Sequence, residues 1–438
     1  DLYLNNWYEN YEKNLLYQND ITYFTQTDQM DYSGNGYGVA WADFDNDGDL
    51  DLYVANYGEE NTLYCNQLIP TGNPTFTPCC SELSDLGEGK GVGWADFDND
   101  GDLDLYLVNE NQANRLYRNN LIPSGEKTFT EISSSAGVDD SGPGSGCAWG
   151  DFDNDGDLDL YLSKDGAPNV LYRNNIIPSG DTTFTQCFPE VSDPDGGEQA
   201  LWGDFDNDGY LDLYLVNYDQ KNRLYLNNQG LSFSERAESL GLADSGYGQG
   251  AAWGDFNNDG DLDLYLCNRF QPNKLYENRA NTGHWLTINA RGRISNSFGI
   301  GARVKLVAGG TVQIREVGCG NGYYSQNPLP VHFGLGENES VDSILLSWPS
   351  GYYQDTTNVN ADSILTIFEK FPRGDVNQDT LINLSDVIYI ANYYLKGGPE
   401  PQPLVEMGDV NCDGQVDLSD VIYLANYYLK GGNPPGFC

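Results

Sequence analysis

Residues 41–54 read WADFDNDGDLDLYV, and the same phrase returns four times. It reads WADFDNDGDLDLYL at 94–107, WGDFDNDGDLDLYL at 149–162, WGDFDNDGYLDLYL at 202–215 and WGDFNNDGDLDLYL at 253–266. The interval is 51 to 55 residues. Each phrase runs into an Asn-rich turn and then a second short strand signal, NTLYCN, NRLYRN, NVLYRN, NRLYLN or NKLYEN. A Phe-Thr signal follows at Phe24-Thr25, Phe76-Thr77, Phe129-Thr130 and Phe184-Thr185, with Ser232-Phe233-Ser234 in the same place once. Each unit therefore holds about four short strands separated by Gly, Asn and Asp turns. Tandem four-stranded units of this length predict propeller blades. Asp1-Leu2-Tyr3-Leu4 matches Asp51-Leu52-Tyr53-Val54, so the chain opens inside a blade that lacks its first strand and loop. Six repeats are visible, the first incomplete, and six or seven blades are expected. The absent strand is expected from an upstream segment, from elsewhere in the chain, or from a neighbouring subunit by strand addition.

The phrase carries its own chemistry. In Asp43-Phe44-Asp45-Asn46-Asp47-Gly48-Asp49-Leu50-Asp51, carboxylates occupy positions 1, 3, 5, 7 and 9. A tight loop converges those at 1, 3, 5 and 9 on one point, Gly at 6 permits the turn, and the carbonyl of residue 7 completes an oxygen cage. An all-oxygen, flexible ligand set selects Ca²⁺ over Zn²⁺ and Mg²⁺. The equivalent ligands are Asp96, Asp98, Asp100, Asp102 and Asp104, then Asp151, Asp153, Asp155, Asp157 and Asp159. The fourth loop offers Asp204, Asp206, Asp208, Tyr210 (through its carbonyl) and Asp212. The fifth offers Asp255, Asn257, Asp259, Asp261 and Asp263, and the Asn makes it the weakest site expected. Metal-free Asx turns are the plain alternative, but five copies at matched spacing favour about five calcium ions.

Composition agrees. The chain has 22 Lys and Arg against 66 Asp and Glu, a net charge of −44. Such a field repels nucleic acid and anionic membrane, so neither is expected as a partner. The acids recur among Trp, Phe, Leu and Tyr instead of forming solvating blocks, which argues against disorder. No apolar run of 18 residues exists, so no membrane insertion is expected. Residue 1 is Asp and no signal peptide is present, so the chain reads as mature or truncated. Nine cysteines fit an oxidising, extracellular compartment. Cys65 can pair with Cys79 or Cys80, Cys412 and Cys438 bracket the last module, Cys147 and Cys187 share a repeat, and Cys267 and Cys319 have no evident partner.

Residues 1–283 resemble the FG-GAP/VCBS repeats of integrin α-subunit propellers and bacterial surface proteins. Residues 284–371 change to period-two alternation, which predicts a small antiparallel sandwich. Within them GIGARV, REVGCGNGYYSQNPLPVHFGLG and VDSILLSWPSG resemble the ASPIC/UnbV domain, which follows such a propeller in the cartilage acidic protein family. The resemblance implies an extracellular matrix or surface role. The only two histidines, His284 and His332, lie in this segment and read as structural.

Residues 372–438 hold a duplication: GDVNQDTLINLSDVIYIANYYLKGG at 374–398 and GDVNCDGQVDLSDVIYLANYYLKGG at 408–432. Each is an acidic loop entering a helix. Asp375, Asn377, Asp379, Leu381 (carbonyl), Asn383 and Asp386 occupy EF-hand-type positions, as do Asp409, Asn411, Asp413, Gln415 (carbonyl), Asp417 and Asp420. Two further calcium ions are expected. Val387, Ile388, Ala391 and Leu395, repeated as Val421, Ile422, Ala425 and Leu429, read as core between the helices. The pair resembles a dockerin, which implies docking onto a cohesin-like partner through Leu384, Ser385, Leu418 and Ser419.

The fold class expected is therefore mainly β: a propeller, a small sandwich, then a small α-helical dockerin-like module. No nucleophile elbow, phosphate loop or His/Cys cluster is found, so no catalysis is expected. The function expected is extracellular, calcium-bound structure or adhesion, by self-assembly into a fibre or by docking to a protein partner. A glycan-binding lectin is the alternative, and a polysaccharide lyase a more distant one.

Overall fold

The computed structural model describes residues 2–4, 15–19, 24–27, 35–71, 75–194, 196–280, 283–318, 321–322, 325–370, 373–377, 382–401 and 405–435. By compactness the chain forms two units, residues 1–290 with 298–367, and residues 291–297 with 368–438.

The repeats fold as antiparallel sheets in sequence order. The first runs Leu2–Leu4, Leu15–Asn19, Phe24–Thr27. Complete four-stranded blades start at Gly36–Ala42, Gly89–Ala95, Gly144–Gly150 and Gln199–Gly203. The last has three strands, Gly248–Gly254, Asp263–Asn268 and Lys274–Tyr276. In each the Trp-bearing first strand pairs with the DLYL strand, as in Trp149↔Leu160. The DLYL segment of that strand is fully buried in the middle blades, because blades cover both of its faces.

Three repeated contacts weld blade to blade. The DLYL tyrosine meets the Trp of the next blade edge-on, with ring centroids 6.0–6.4 Å apart for Tyr53–Trp94, Tyr106–Trp149, Tyr161–Trp202 and Tyr214–Trp253. Its hydroxyl donates to a buried carbonyl, such as Tyr161 to Val191 at 2.7 Å. The Asn at or just past the end of each third strand donates backwards to the Phe carbonyl of the preceding Asp loop: Asn119 to Phe44, Asn174 to Phe97, Asn227 to Phe152 and Asn278 to Phe205, at 2.7–2.9 Å. Gly203 is required by the same packing, since a Cβ there would lie 2.7 Å from the Trp253 ring.

The segment after the propeller forms a three-stranded sheet around His284–Arg291 and a four-stranded sheet around Arg303–Ala308 and Ser340–Ser347. Its apolar face is continuous with propeller side chains: Leu286, Ile288, Val304, Leu306, Phe333 and Trp348 share one core with Phe44, Trp94 and Leu103. A stretch of this module also reaches the free edges of the propeller's first strands. Asn321–Gly322 pairs with Gly93 and Val92, Ser325 Oγ donates to Ala251 O at 2.6 Å, and Asn327 Oδ1 accepts from Trp253 N at 3.1 Å. Both histidines are satisfied. His284 Nδ1 lies 2.8 Å from Asp362 Oδ2, and His332 Nε2 lies 2.7 Å from Asn207 Oδ1.

The second unit contains two thirteen-residue helices, Leu384–Lys396 and Leu418–Lys430. Each starts in a capping box, Asn383 with Asp386 and Asp417 with Asp420, and ends at a left-handed glycine, Gly397 or Gly431. The expected apolar stripe needs correction. Val387, Ile390 and Leu424 are buried, whereas Ile388, Leu395, Ile422 and Leu429 are exposed. The helices carry more apolar residues than one stripe can bury, so a second apolar face remains outside.

Of the cysteines, Cys65 and Cys79 form a disulfide. Cys80, Cys187 and Cys267 carry free thiols, so Cys187 does not pair with Cys147, the other cysteine of the third complete blade. Cys412 is disulfide-bonded; Cys319 and Cys438 lie outside the described residues.

Replacing Asn174 by Ala removes an amide that bonds both Phe97 O and Leu158 O in a dry interface. Two buried carbonyls lose their donor, at roughly 1–3 kcal/mol each. Thermal unfolding should show Tm lowered by several degrees, and Asn175→Ala, whose amide bonds threonine hydroxyls nearer the surface, should change it little.

Candidate metal centre

The Asp loops share a set of internal bonds, with Asp43 of the first loop accepting from Gly48 N at 3.2 Å. The position-1 carboxylate accepts from the amide of residue 5, as in Asp96 from Asp100 at 3.0 Å, Asp151 from Asp155 at 3.1 Å and Asp204 from Asp208 at 3.0 Å. The position-5 carboxylate accepts from the amide of residue 7, at 2.9–3.2 Å in every loop. Two residues take left-handed backbone, the Asn at position 4 (φ 54–63°) and the Gly at position 6 (φ 91–106°). The role of position 4 was not anticipated. Besides making the turn, Asn154 donates to Gly209 O at 3.0 Å and Asn207 to Gly260 O at 3.3 Å, tying each loop to the next.

The position-9 carboxylate braces the blade. Asp104 accepts from Asn119 N at 2.8 Å and from Phe97 N at 3.2 Å. Asp159, Asp212 and Asp263 repeat the pattern. The position-7 side chain turns to the following crossing: Asp49 accepts from Ile69 N and Asp157 from Ile177 N, at 2.8 and 2.9 Å. That leaves its main chain as the ligand expected at position 7.

Carboxylate oxygens of Asp43, Asp45 and Asp51 lie within 4.8 Å of one another. So do those of Asp96, Asp98 and Asp104, of Asp151, Asp153 and Asp159, and of Asp204, Asp206 and Asp212. Burial, with mutual repulsion in most cases, pushes many of the loop carboxylates above their ordinary range. Asp98 rises to about 7, Asp102 to about 8 and Asp51 to about 9, in each case chiefly through burial and then through neighbouring aspartates. In all four loops one position-3 oxygen is buried without any hydrogen-bond partner: Asp45, Asp98, Asp153 and Asp206 Oδ1. The other oxygen of that residue takes a cation in two of them, Lys127 on Asp45 and Arg173 on Asp153. Orphaned, converging, desolvated anions of this kind fit a hard divalent cation. The cation would neutralise the cluster and fix the turn.

The fifth loop does not assemble a carboxylate trio. Asn257 stands in place of the acid at position 3 and donates to Asp259 Oδ2 at 2.8 Å, and Phe256, Asn257 and Asp259 are exposed.

In the second unit Asp409 accepts from Asp413 N and Gly414 N at 3.0 and 2.9 Å, and Asp413 from Gln415 N at 3.0 Å. Asp420 closes the loop on Asn411 N and Asp417 N. In the first copy Asp386 accepts from Val376 N and Asn383 N at 3.0 and 2.8 Å. Asp379 and Leu381 lie outside the described residues. Sequence reading missed Arg373, which is buried, donates to Asp409 O at 2.8 Å and stands 2.5 Å from its carboxylate. A lone Arg before the first loop has no spacing signal.

These sites define a multi-module, calcium-loop protein of mainly β fold. Residues 35–64 match the FG-GAP repeat and residues 96–162 and 204–266 the FG-GAP-like repeat. Residues 292–372 match ASPIC and UnbV, and 373–429 the dockerin type I domain. Cartilage acidic protein 1 from Homo sapiens is a relative, 28% identical over 79% of this chain and 55% of its own length. The Xenopus tropicalis protein of the same name is 27% identical over 81% of this chain and 57% of its own. The chain thus spans about half the length of the curated relatives it matches. Among solved structures, the Vibrio cholerae biofilm matrix protein Bap1 aligns over 74% of this chain and 60% of its own, with 10% identity and a TM-score of 0.32. FG-GAP and dockerin modules are typical of extracellular proteins. Among the described residues no helix is long and apolar enough to cross a membrane.

Excess EGTA should lower Tm steeply, since each site held a hundredfold above its Kd contributes ~2.7 kcal/mol. Asp98→Asn, which removes charge and keeps shape, should reduce the calcium count by one in native mass spectrometry. An unchanged Tm on chelation would remove the metal reading.

Proposed function

We propose that this chain is an extracellular, non-catalytic interaction protein whose propeller and terminal module are shaped by calcium, about five ions in the first, with the fifth loop the weakest site, and two in the second. The terminal module fastens it to a cohesin-like protein. The observation that carries the docking is the outer face of the two helices. Leu384, Ile388 and Leu395 lie on one helix and Leu418, Ile422 and Leu429 on the other, each 43–63% exposed. Apolar side chains left outside on both helices, next to Ser385 and Ser419 at their starts, form a surface suited to a partner. Dockerin domains typically bind cohesin partners.

A second reading, self-association through the propeller, is favoured by one observation. In the last sheet Phe256, Tyr265 and Leu275 are 54%, 44% and 54% exposed, whereas the matching Tyr53, Tyr106, Tyr161 and Tyr214 are 0% exposed. This is the face that each earlier blade buries against its successor.

Titration calorimetry with a type I cohesin module tests the first reading. Binding in calcium, lost in EGTA and weakened at least about tenfold by Leu384→Asp with Leu418→Asp, is expected. Failure across a cohesin panel, with a light-scattering mass above the monomer that Tyr265→Glu reduces, would replace docking by self-association.

A further inference from the structure

The propeller loops and the second β module meet through charged groups that neither the repeat nor the dockerin-like module requires. Arg303 and Glu316 face each other at the open end of one hairpin, with Arg315 next in register against Val304. Arg303 donates to Asp96 O at 3.2 Å and to Gly156 O at 2.8 Å, so one guanidinium bridges the second and third Asp loops. It also stands 3.7 Å from the Asp96 carboxylate. Glu316 accepts from Asp96 N at 3.2 Å. Arg315 is buried and donates within its own module, to Ile314 O at 2.8 Å and Gln313 Oε1 at 3.2 Å, with Asp204, Asp151 and Asp212 within range of its charge. The neighbouring strand Val331–Gly336 takes the fourth loop: Gly334 N donates to Asp204 Oδ2 at 2.9 Å and Gly336 N to Asn207 O at 2.8 Å. Three consecutive loops are thus held from outside.

Two of the groups held exist in usable form only while the turns are folded. Gly156 and Asn207 both carry left-handed backbone, φ 106° and 58°. A loop that springs open through carboxylate repulsion moves those carbonyls off their donors. The same grip occurs independently in the second unit, where Arg373 holds the carbonyl and carboxylate of Asp409, the first residue of another acidic loop.

We propose that Arg303 and Arg315 are positioning residues of the calcium sites: they fasten the second β module to the folded form of loops 96–104, 151–159 and 204–212, so that calcium binding and module docking stabilise each other. This rests on the calcium reading of those loops. Coupling of this kind is reciprocal. Removing the arginines should weaken calcium binding, although deleting two positive charges beside the sites would by electrostatics alone strengthen it.

Hydrogen exchange of the full chain, read by mass spectrometry in calcium and in EGTA beside a calcium count, tests this. Chelation should strip the ions and deprotect peptides covering 303–316 and 331–336 together with the loops. Arg303→Gln with Arg315→Gln, in saturating calcium, should deprotect the same peptides and lower the affinity of the three loops about tenfold. Arg303→Lys, which keeps the charge and loses the fork, should show a smaller loss of the same sign. Wild-type chain that binds calcium yet keeps 303–316 protected in EGTA overturns the coupling and leaves the calcium reading intact. Raised affinity in the double variant overturns it as well, making the arginines competing counter-ions. A wild-type propeller without bound calcium overturns both.

Discussion

Each blade from the second onward is hung on one buried carboxylate, the aspartate at position 9 of its Asp loop. Asp104, Asp159 and Asp212 are shut off from water, and each accepts two backbone amides, one from its own loop and one from the third strand. That single residue fixes the loop to the sheet and sets where the Asn of the third strand stands. The Asn then reaches back to the carbonyl of the preceding loop. Blade shape and blade-to-blade contact therefore descend from one anion. Burying it costs several kcal/mol unless it is compensated, and the amides compensate it only in part, since four more acidic groups crowd the same turn in most loops. In such an arrangement metal binding and folding are one free energy.

The second β module extends this dependence beyond the blades. Its strands supply arginines and amides to loops more than a hundred residues earlier in the chain. With a net charge of −44, cations are scarce, yet two of the 22 are spent on one interface. Each costs desolvation, and a guanidinium recovers it best where carbonyl and carboxylate lie side by side. The first residue of an Asp loop offers that pair, which is why Arg303 and Arg373 adopt the same grip in separate units. The apolar core that the module shares with Phe44, Trp94 and Leu103 supplies the area, and the arginines supply the register.

What was legible in the sequence was whatever repeats. The Trp, the acids and the Gly recur at fixed offsets, so blades, loops and most ligand positions could be read from spacing alone. The capping boxes at Asn383 and Asp417 were implicit in the duplicated loop–helix pattern. Contacts made once left no such trace. Arg303 and Arg373 are single residues whose partners lie far away in sequence, and the pairing of Asn321–Gly322 with a blade edge follows no period. The helix stripe misled for a different reason. Val387 and Ile388 are adjacent and both apolar, so periodicity could not tell which of them faces the core. Cys147 and Cys187 misled because sharing a repeat does not place two side chains on one face.

The fifth loop shows the same physics in reverse. Among the described residues no further blade covers its sheet, and Phe256 and Asn257 are open to water while their counterparts in the earlier loops are buried or half-buried. A hydrated carboxylate repels its neighbours far less than a buried one, because water screens the charge. Less repulsion means less need for a cation, and here an Asn stands at position 3, where its amide can bond Asp259 directly. The enclosed loops have no such escape: Asp45, Asp98, Asp153 and Asp206 each keep a buried oxygen without a donor. Demand for metal along the propeller thus follows enclosure, and enclosure follows how many blades, and how much of the second module, cover each loop.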